Sequence, residues 1–364
     1  MLLHAMSPLT KSMEVTVFAT TEVFEEPYMD RAAQALIVPC YARKDPTYSG
    51  LLDALTRYGP VDILHVEHEY GIYGDGDTLL RALDEAKRER LTRAVVITMH
   101  TVYHPYSGRS GALRFQEGLP GVVDAVIVHS RLQEFELQTQ GVPAEAIYRI
   151  PHGTLINPYL GYPRGQLAKS LGLDPGVLEG LVLVTPGFIR RDKGLDVLAE
   201  ALRGLGEGFT FVAAGEPRNP EVLEYIVDLQ EEGRVIIIDR YLSSDEILRL
   251  IALSDAIVLA YRDVPGTYSV SGILHLSMGS LKPIIGTRTP RLIELYSHAP
   301  RMTIPPGNSA ELARLLRWIK QNYDYAVAYM AETYAYAART EWHRIARRHI
   351  ALYRRIASRL AAGG

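Results

Sequence analysis

The stretch VTPGFIRRDKGLDVLAEAL, residues 184–202, decides the fold of this chain. Its apolar run ends at Gly187, three basic residues follow within six positions, and an amphipathic pattern begins after Gly194. This order is typical of a buried strand, a tight turn and a helix, because strands buried on both faces appear as short continuous apolar runs. The stretch therefore predicts one strand–helix unit of a layered α/β fold.

Short apolar runs of this kind recur along the chain, and longer helical patterns separate them. Each run is apolar on both alternations, as expected for strands of a parallel sheet that helices cover on both faces. The alternation predicts an α/β fold with doubly wound, Rossmann-like sheets. The nine predicted strands are at residues 15–20, 62–67, 94–99, 124–129, 181–187, 209–215, 234–239, 255–261 and 283–287.

The segment IPHGTLINPYLGYPRG, residues 150–165, is rich in proline, glycine and tyrosine, which is typical of a linker. It separates the first four predicted strands from the last five. We therefore predict a Rossmann-like domain at residues 1–155, a second one at 156–325 and a helical tail at 326–364. The length of 364 residues agrees with two domains, since a domain has roughly 150 residues.

The composition bounds the class of protein. A net charge of −3 gives no whole-protein attraction to nucleic acid, and the single Cys40 excludes an internal disulfide and fits a reducing compartment. Residues 1–12 lack the apolar run of a secretory signal, and no run approaches the roughly 20 residues that span a bilayer. We expect a cytoplasmic protein, and the presence of only four asparagines suggests a thermophilic source.

The basic residues of the first stretch follow a strand, and ligands bind at the carboxyl ends of strands in open α/β sheets. Gly187 allows the backbone to approach a ligand, and the helix after Gly194 directs its positive end to the same place. Arg190 and Lys193 would then face a phosphate or diphosphate. The alternative is a solvated turn that happens to be basic, and the spacing alone leaves both open.

A second segment, YRDVPGTYSVSGILHLSMGSLKP at residues 261–283, also follows a predicted strand. Ser269, Ser271 and Gly272 stand just before an apolar helical pattern, where hydroxyls and free backbone amides can hold an anion. The alternative is ordinary N-capping by Ser269 or Ser271. The two roles are compatible, because only the first amides of a helix are free.

Several segments together resemble family 4 retaining glycosyltransferases, which have the GT-B fold. GFIRRDKGLDVLAEAL, residues 187–202, resembles the loop that binds the donor phosphate in that family. The matching segments keep the order that they have in the family. The others are VEHEYGIYG (66–74), TMHT (98–101), IPHG (150–153) and the segments at 241–263, 271–295 and 341–356.

The resemblance implies a cleft between the two domains, with a nucleotide-sugar on the second domain, an acceptor on the first and a terminal helix that returns to the first. It implies that Arg190 and Lys193 contact the donor diphosphate, that His100 faces the transferred sugar and that Glu69 lies near the acceptor. The motifs and the resemblance together give a donor-side set of Gly187, Gly215, Glu216, Ser269, Ser271 and Gly272.

The chain departs from the family pattern at three places. Phe188 stands where the family often has an arginine, and Tyr268 and Leu276 stand where it often has a pair of glutamates that contact donor sugar and ribose. The opening loop TTEVFEEP, residues 20–27, lacks the usual glycine pair. Its three glutamates would repel a phosphate, so we expect this loop to face acceptor or solvent.

Transfer of a glycosyl group needs a stabilised leaving diphosphate. Arg190, Lys193 and the helix start near Ser271 would supply it, so we expect no metal and no cofactor. His100 is interpreted as positioning the sugar, with a merely structural role as the alternative.

GDGD, residues 74–77, is interpreted as a surface turn. His65, Glu67 and Glu69 alternate on a strand with His68 opposite, and a metal site there would lack a further ligand.

The tail is basic and amphipathic, with Glu341 as the one acidic residue from position 339 onward. A membrane-surface contact is one interpretation. The favoured interpretation is a helix packed on the first domain with a solvated basic face. The arginines concerned are Arg339, Arg344, Arg347, Arg348, Arg354, Arg355 and Arg359.

The function that the resemblance implies is transfer of a hexose, such as glucose or mannose, from a nucleotide-sugar to a hydroxyl of a sugar, polyol or lipid-linked acceptor. A nucleotide-sugar epimerase, which shares the two-domain plan, is the alternative enzyme. A non-catalytic or regulatory nucleotide- or sugar-binding protein with a degenerate GT-B fold is the alternative from another class. The sequence leaves the donor, the acceptor and the oligomeric state undetermined.

Overall fold

The computed structural model describes residues 1–9 and 13–362, so the last part of the N-terminal stretch examined for a signal lies outside the described residues. The chain divides into two compact units. Unit 1 comprises Met1–His152, Pro265–Val270 and Trp342–Gly364, and unit 2 comprises Gly153–Val264 and Ser271–Glu341. Residues 326–341, assigned above to the tail, thus lie in unit 2. No described helix is long and apolar enough to cross a membrane.

Each of the nine predicted runs contains a strand, and the described residues hold six further, mostly shorter ones. The strands are β1 (Thr16–Thr20), β2 (Tyr28–Asp30), β3 (Ala35–Tyr41), β4 (Val61–His68), β5 (Thr92–Met99), β6 (Thr101–Tyr103), β7 (Ala125–Val128), β8 (Ile147–Arg149), β9 (Leu181–Pro186), β10 (Phe209–Ala214), β11 (Val235–Ile238), β12 (Ala256–Leu259), β13 (Thr267–Ser269), β14 (Ile284–Thr287) and β15 (Thr303–Ile304).

Helices separate most of the strands, as the alternating pattern predicts. They are α1 (Leu2–Met6), α2 (Ser49–Tyr58), α3 (Tyr70–Tyr73), α4 (Thr78–Arg88), α5 (Ser110–Val122), α6 (Arg131–Thr139), α7 (Arg164–Ser170), α8 (Leu195–Arg203), α9 (Val227–Glu231), α10 (Ser244–Leu253), α11 (Gly272–Met278), α12 (Ile293–His298), α13 (Ser309–Gln321), α14 (Tyr323–Ala328), α15 (Ala331–Arg339) and α16 (Trp342–Ala362).

Unit 1 contains a parallel sheet in the order β4-β5-β7-β8 and a separate sheet in the order β1-β3-β2. Strand β5 is almost wholly buried, as its continuous apolar run predicts. Strand β4 instead carries His65 and Glu67 together on one face, and Glu67 lies opposite Thr98 of β5. The first predicted strand, β1, pairs with the unpredicted β3, so the first four predicted strands do not share one sheet.

Helix α16 belongs to unit 1 and covers one face of its parallel sheet. Its buried Ile345, Leu352 and Ile356 pack with apolar side chains of β5 and β7. The predicted return of the terminal helix to the first domain is therefore confirmed. The exposed side of α16 carries Arg344, Arg347, Arg348, Arg354, Arg355 and Arg359.

Unit 2 is a six-stranded parallel sheet in the order β11-β10-β9-β12-β14-β15. From β9 the chain builds outward through β10 to β11, and it then returns to add β12, β14 and β15 on the other side. The strand order therefore reverses between β9 and β12, and in doubly wound folds ligands bind outside the carboxyl ends of the strands at this switch point. Gly187 and Tyr261 follow the two strands concerned.

The segment Pro265–Val270, between two parts of unit 2 in the sequence, belongs to unit 1. Strand β13 pairs antiparallel with β6, so that Tyr268 lies opposite Val102 and Ser269 opposite Thr101. The predicted donor-side Ser269 therefore lies in a strand of unit 1, whereas Ser271 lies in unit 2.

Candidate functional site

A tight turn in unit 2 brings the basic stretch to the end of the neighbouring strand. Arg191–Lys193 form a 3₁₀ turn that ends at Gly194, whose φ is 66°. A side chain at Gly194 would place its Cβ only 1.9 Å from the carbonyl oxygen of Ala260. Glycine is therefore required for the close approach, and the approach sets Lys193 beside Tyr261.

Lys193 is the buried centre of this cluster, with 6% of its surface exposed. Its Nζ donates a hydrogen bond to the Tyr261 hydroxyl over 2.7 Å and lies 4.1 Å from the ring centroid. The same hydroxyl lies 3.1 Å from the Oγ of Ser271. Burial lowers the pKa of Lys193, although its contact with Tyr261 acts in the opposite direction. A bound anion would offset the loss of hydration that this ammonium group has undergone.

Asp192 joins two guanidinium groups at the edge of the cluster. Arg190 Nη2 lies 2.7 Å and Arg291 Nη1 lies 2.6 Å from its Oδ2. Burial alone would raise the pKa of the Asp192 carboxyl, but the charges of Arg190 and Arg291 lower it on balance. Two guanidinium groups thus contact one carboxylate, and the charge of Lys193 acts on it as well, which leaves a local excess of positive charge at the switch point.

The structure brings only part of the predicted donor side together. Ser271 caps α11 by accepting a hydrogen bond from the amide of Leu274 over 3.2 Å, so the capping interpretation holds for Ser271. Gly272 is the first residue of that helix. Gly215 follows β10 with a φ of 148°, and a Cβ there would lie 2.3 Å from the carbonyl oxygen of Gly187. The carboxylate of Glu216 pairs with Arg218 at 3.2 Å.

Arg291 and Tyr261 belong to the cluster, and the sequence analysis singled out neither. Arg291 follows β14 and Tyr261 follows β12, each beyond the carboxyl end of a strand that adjoins the switch point. Their position after apolar runs is the signal that could have identified them. The strand order that brings them to Lys193 is not visible in the sequence.

A second polar group lies in unit 1, where three neighbouring strands end in a row of histidines. His68 ends β4, His100 follows β5 and His129 follows β7. His100 Nε2 lies 3.0 Å from the Oε2 of Glu67, and His100 Nδ1 lies 3.3 Å from the Nε2 of His129. The Nδ1 of His129 lies 2.9 Å from the carbonyl oxygen of Ile150. These contacts form one continuous hydrogen-bonded chain along the edge of the sheet.

The charges of His100 and Glu67 support each other. Partial burial would lower the pKa of His100, but the hydrogen bond to Glu67 and the charge of that residue raise it on balance. Burial would likewise raise the pKa of Glu67, but 45% of its side chain is exposed. The neighbouring imidazoles of His65 and His100 lower the pKa of Glu67 on balance. The pair is therefore stabilised as imidazolium and carboxylate.

The predicted acceptor-side Glu69 lies close to this chain without joining it. Its Oε2 accepts a hydrogen bond from the Thr101 hydroxyl over 3.1 Å. Glu67, two positions earlier, is the carboxylate that contacts His100, and the sequence analysis did not select it. The alternation of His65, Glu67 and Glu69 on one face of a strand was the available signal.

The two histidines of β4, His65 and His68, make contacts that are typical of a structural role. His65 lies 2.8 Å from the Thr98 hydroxyl and 2.5 Å from the Tyr353 hydroxyl of α16, and burial lowers its pKa to about 4. His68 is fully buried on the opposite face, as predicted, with its ring stacked on Phe115 at a centroid distance of 4.3 Å. Burial lowers the pKa of His68 to about 3.

Neither carboxylate motif considered for a metal forms a cluster. Residues 74–77 form a bend before α4, and Asp77 there is exposed and pairs with Arg81 at 3.0 Å. Within residues 1–9 and 13–362, no group of three or more histidine, cysteine, aspartate or glutamate side chains is arranged to hold a metal ion.

No protein-family model and no curated protein matches the chain. Solved structures match it over nearly its whole length. Anabaena Alr3699/HepE in complex with UDP-glucose is 18% identical, with 99% of this chain and 94% of that chain covered and a TM-score of 0.74. A glycosyltransferase from Rickettsia africae ESF-5 is 17% identical, with 98% and 94% covered and a TM-score of 0.74.

WaaG, a glycosyltransferase involved in lipopolysaccharide biosynthesis, is 13% identical, with 96% of this chain and 94% of that chain covered and a TM-score of 0.66. The last two of these neighbours are glycosyltransferases, and the set supports the GT-B fold. Likeness at such low identity shows the fold alone. The predicted GT-B fold, with two Rossmann-like units, is thereby confirmed.

Proposed function

We propose that the protein is a retaining glycosyltransferase that moves a hexose from a nucleotide-sugar to an acceptor hydroxyl without a metal. The observation that carries this proposal is the cluster of Arg190, Lys193 and Arg291 at the switch point of unit 2. The fold adds support, since it is shared with Alr3699/HepE, which was solved with UDP-glucose.

The cluster has the chemistry that a diphosphate requires. Guanidinium groups bind phosphate oxygens in pairs, and a lysine provides a point charge. Asp192 holds Arg190 and Arg291 in place, and the excess positive charge remains available for a ligand. The buried ammonium of Lys193 would gain from an anion the stabilisation that it lost with its hydration shell.

The proposed reaction breaks the bond between the anomeric carbon and a phosphate oxygen. The electron pair leaves with the diphosphate, whose growing charge Arg190, Lys193 and Arg291 stabilise. The acceptor oxygen attacks the same face of the sugar, and its proton passes to the leaving phosphate. The retained configuration and the role of His100 in positioning the sugar rest on the family resemblance.

Calorimetric titration with UDP, GDP, ADP and their hexose conjugates in metal-free buffer tests the donor site. We expect one nucleotide to bind, and Lys193→Ala to weaken it about 10- to 100-fold, the range for one charge-assisted hydrogen bond. Lys169→Ala, an exposed lysine of unit 2, is the matched control and should bind normally. Absence of binding to every nucleotide would overturn the proposal.

The residues that replace the glutamate pair support one alternative. Tyr268 lies in β13, and Leu276 packs against the apolar core of unit 2. Neither side chain has a carboxylate, so the two contacts that the family often makes through glutamates are not available here. A non-catalytic nucleotide- or sugar-binding protein would bind the donor but release no product with any acceptor. A nucleotide-sugar epimerase would release the nucleotide diphosphate without an acceptor. Product analysis with and without acceptor separates the three.

The exposed arginines of α16 support a second proposal, which is contact with an anionic membrane surface. Six of them lie on the exposed side of one helix, whose other side is buried on unit 1. Such a face attracts anionic lipids, and it would suit a lipid-linked acceptor. Sugars and polyols remain the other acceptors of the proposal.

A further inference from the structure

The partners in the hydrogen-bonded chain of unit 1 determine how many hydrogens its two imidazole rings carry. The carbonyl of Ile150 can only accept, so Nδ1 of His129 carries a hydrogen. The carboxylate of Glu67 also accepts, so Nε2 of His100 carries a hydrogen. The contact between the two rings, His129 Nε2 to His100 Nδ1, needs one more. Two imidazoles therefore hold three hydrogens, one more than two neutral rings carry.

This count gives the two histidines one shared positive charge, whichever ring holds it. Both nitrogens of His100 are engaged, one by Glu67 and the other by His129. A contact of His100 with the transferred sugar would therefore be a packing contact of its ring, because both ring nitrogens are used within the hydrogen-bonded chain. Its role in the chain is to hold the carboxylate of Glu67 in place.

The two ends of the hydrogen-bonded chain, His129 and Glu67, differ in their exposure to solvent. His129 is 8% exposed, whereas the side chain of Glu67 is 45% exposed. The second oxygen of Glu67, Oε1, has His65 Nε2 as a neighbour at 3.8 Å, which is beyond hydrogen-bond distance. The exposed end of the chain thus presents an oriented carboxylate oxygen that can accept a hydrogen bond.

We propose that Glu67 binds a hydroxyl group of the acceptor through Oε1, with His100 and His129 as positioning residues. The proposal rests on the proposed glycosyl transfer and names the chemistry of its acceptor side. A carboxylate beside an imidazolium is a weak base, so Glu67 orients the hydroxyl, and the proton still leaves with the phosphate. The class of ligand is a sugar or polyol with a free hydroxyl.

Several other titratable groups lie near the hydrogen-bonded chain of Glu67, His100 and His129, and they influence how its protonation depends on pH. The carboxylate of Glu69 acts on His100 in the same direction as Glu67, whereas the buried imidazoles on either side of β4 act against a charge there. The groups facing Glu67, His100 and His129 from the packed elements are His65, His68, Glu69, His152, His349 and Tyr353.

Glu67→Gln tests the proposal, because it keeps the shape and removes the charge. With the donor found by calorimetry and with glucose, mannose and glycerol as acceptors, we expect kcat/KM for the acceptor to fall about 10- to 100-fold, and donor affinity to stay within about twofold. The alkaline limb of the pH profile should move to lower pH, since His100 loses its anionic partner. His129→Asn should move it in the same direction by less.

Asp62→Asn is the matched control, since Asp62 is an exposed carboxylate of the same strand, and it should leave kinetics and pH profile unchanged. An unchanged acceptor kcat/KM in Glu67→Gln with normal donor affinity would overturn the proposal. Loss of donor affinity alone in Glu67→Gln would also overturn it, because it would place Glu67 on the donor side.

A readout that does not depend on turnover separates this proposal from the proposed function. The imidazole signals of ¹³C-histidine-labelled protein report the titration of His100, which should occur at lower pH in Glu67→Gln. Glucose, mannose or glycerol should shift these signals in the wild type and not in the variant. If no donor gives turnover, the proposed function fails, and if none of the three compounds shifts the signals, the acceptor site fails.

Discussion

The two units present the same kind of edge with different chemistry. In unit 2 the segments after β9 and β14 carry Arg190 and Arg291, which contact the Asp192 carboxylate, and Lys193, which contacts Tyr261 after β12. In unit 1 the ends of β4, β5 and β7 carry a carboxylate and two hydrogen-bonded imidazoles. Parallel sheets supply the location in both cases, and the side chains directly after the strands determine which ligand each edge can hold.

The difference also separates fixed from titratable charge. Guanidinium groups keep their charge over the whole range in which proteins fold, so Arg190 and Arg291 offer a constant field to an anion at the edge of unit 2. Imidazoles change charge near neutral pH, so the edge of unit 1 depends on the solution and on its own neighbours. A phosphate suits the first edge, and a neutral hydroxyl that needs an oriented acceptor suits the second.

The largest expected effect comes from removing the fixed charges. Arg190→Ala combined with Arg291→Ala should weaken binding of the donor nucleotide about 100- to 1,000-fold, because two charge-assisted contacts to phosphate are lost and Asp192 becomes an unpaired anion at the site. Calorimetry measures the affinity. Binding of acceptor sugars, followed by the histidine signals of unit 1, should not change.

A matched control for the double variant is Arg203→Ala, which removes an exposed arginine of unit 2 that pairs with Asp228 at 2.8 Å. It should leave nucleotide binding as it is. If the double variant binds the nucleotide as tightly as the wild type, the contrast between a phosphate-binding edge of unit 2 and a titratable edge of unit 1 is lost.

A smaller effect concerns the titratable unit. His68 is buried among aromatic rings with both ring nitrogens unpaired, and burial lowers its pKa to about 3. The unfolded chain binds a proton near pH 6.5 and the folded chain does not, so stability present above pH 6.5 is lost as pH falls toward 3. His65, with a pKa lowered to about 4, adds to the same loss.

His68→Phe should remove its part of this dependence. From pH 8 to pH 5 we expect unit 1 of the variant to lose about 2 kcal/mol less stability than the wild type. Hydrogen exchange of amides in β4 and β5 measures this, and the comparison across pH cancels any packing cost of the larger ring. His4→Phe, at an imidazole with 57% of its side chain exposed, is the control. An equal pH dependence in His68→Phe and wild type would contradict the prediction.

How much the sequence predicts differs between the two edges for a physical reason. Arg190, Lys193 and Gly194 are close together in the sequence, so one segment predicts the core of the basic edge of unit 2. Arg291 and Tyr261 reach it only because the strand order places β14 and β12 beside β9. No pattern within a single segment contains that order.

The polar edge of unit 1, formed by Glu67, His100 and His129, depends on long-range pairing throughout. Glu67 meets His100 because β4 and β5 are neighbours in a register that sets Glu67 opposite Thr98. A shift of the register by one residue would turn Glu67 to the other face. The resemblance selected Glu69, and the hydrogen bond of Glu67 became visible only in the structure.

The missed strand β3 shows a local limit. Its run ALIVPCY contains Pro39, which cannot donate a hydrogen bond to a neighbouring strand. The register between β1 and β3 shifts next to this residue, where Ala19 lies opposite Pro39 and Thr20 opposite Tyr41. The irregularity accommodates the proline in a strand that the sequence analysis did not predict.

The smallest expected effect tests whether fixed charge is confined to unit 2. Helix α16 gives unit 1 a row of exposed arginines, and each basic residue near an anionic membrane contributes about 1 kcal/mol at most, less as salt increases. We expect weak binding to phosphatidylglycerol vesicles at low salt and none to phosphatidylcholine. Combined Arg344→Gln, Arg347→Gln and Arg348→Gln should abolish it, as measured by co-sedimentation.

The control removes the same charge from unit 1 elsewhere, with Arg81→Gln, Arg88→Gln and Arg114→Gln on α4 and α5. If both triple variants lose binding equally, net charge explains the contact and α16 has no special role. If neither the wild type nor the variants bind, the arginines serve only to solvate a helix whose other side is buried. The fixed charges that attract a ligand would then lie in unit 2 alone, and the contrast between the two edges would extend to the two units as a whole.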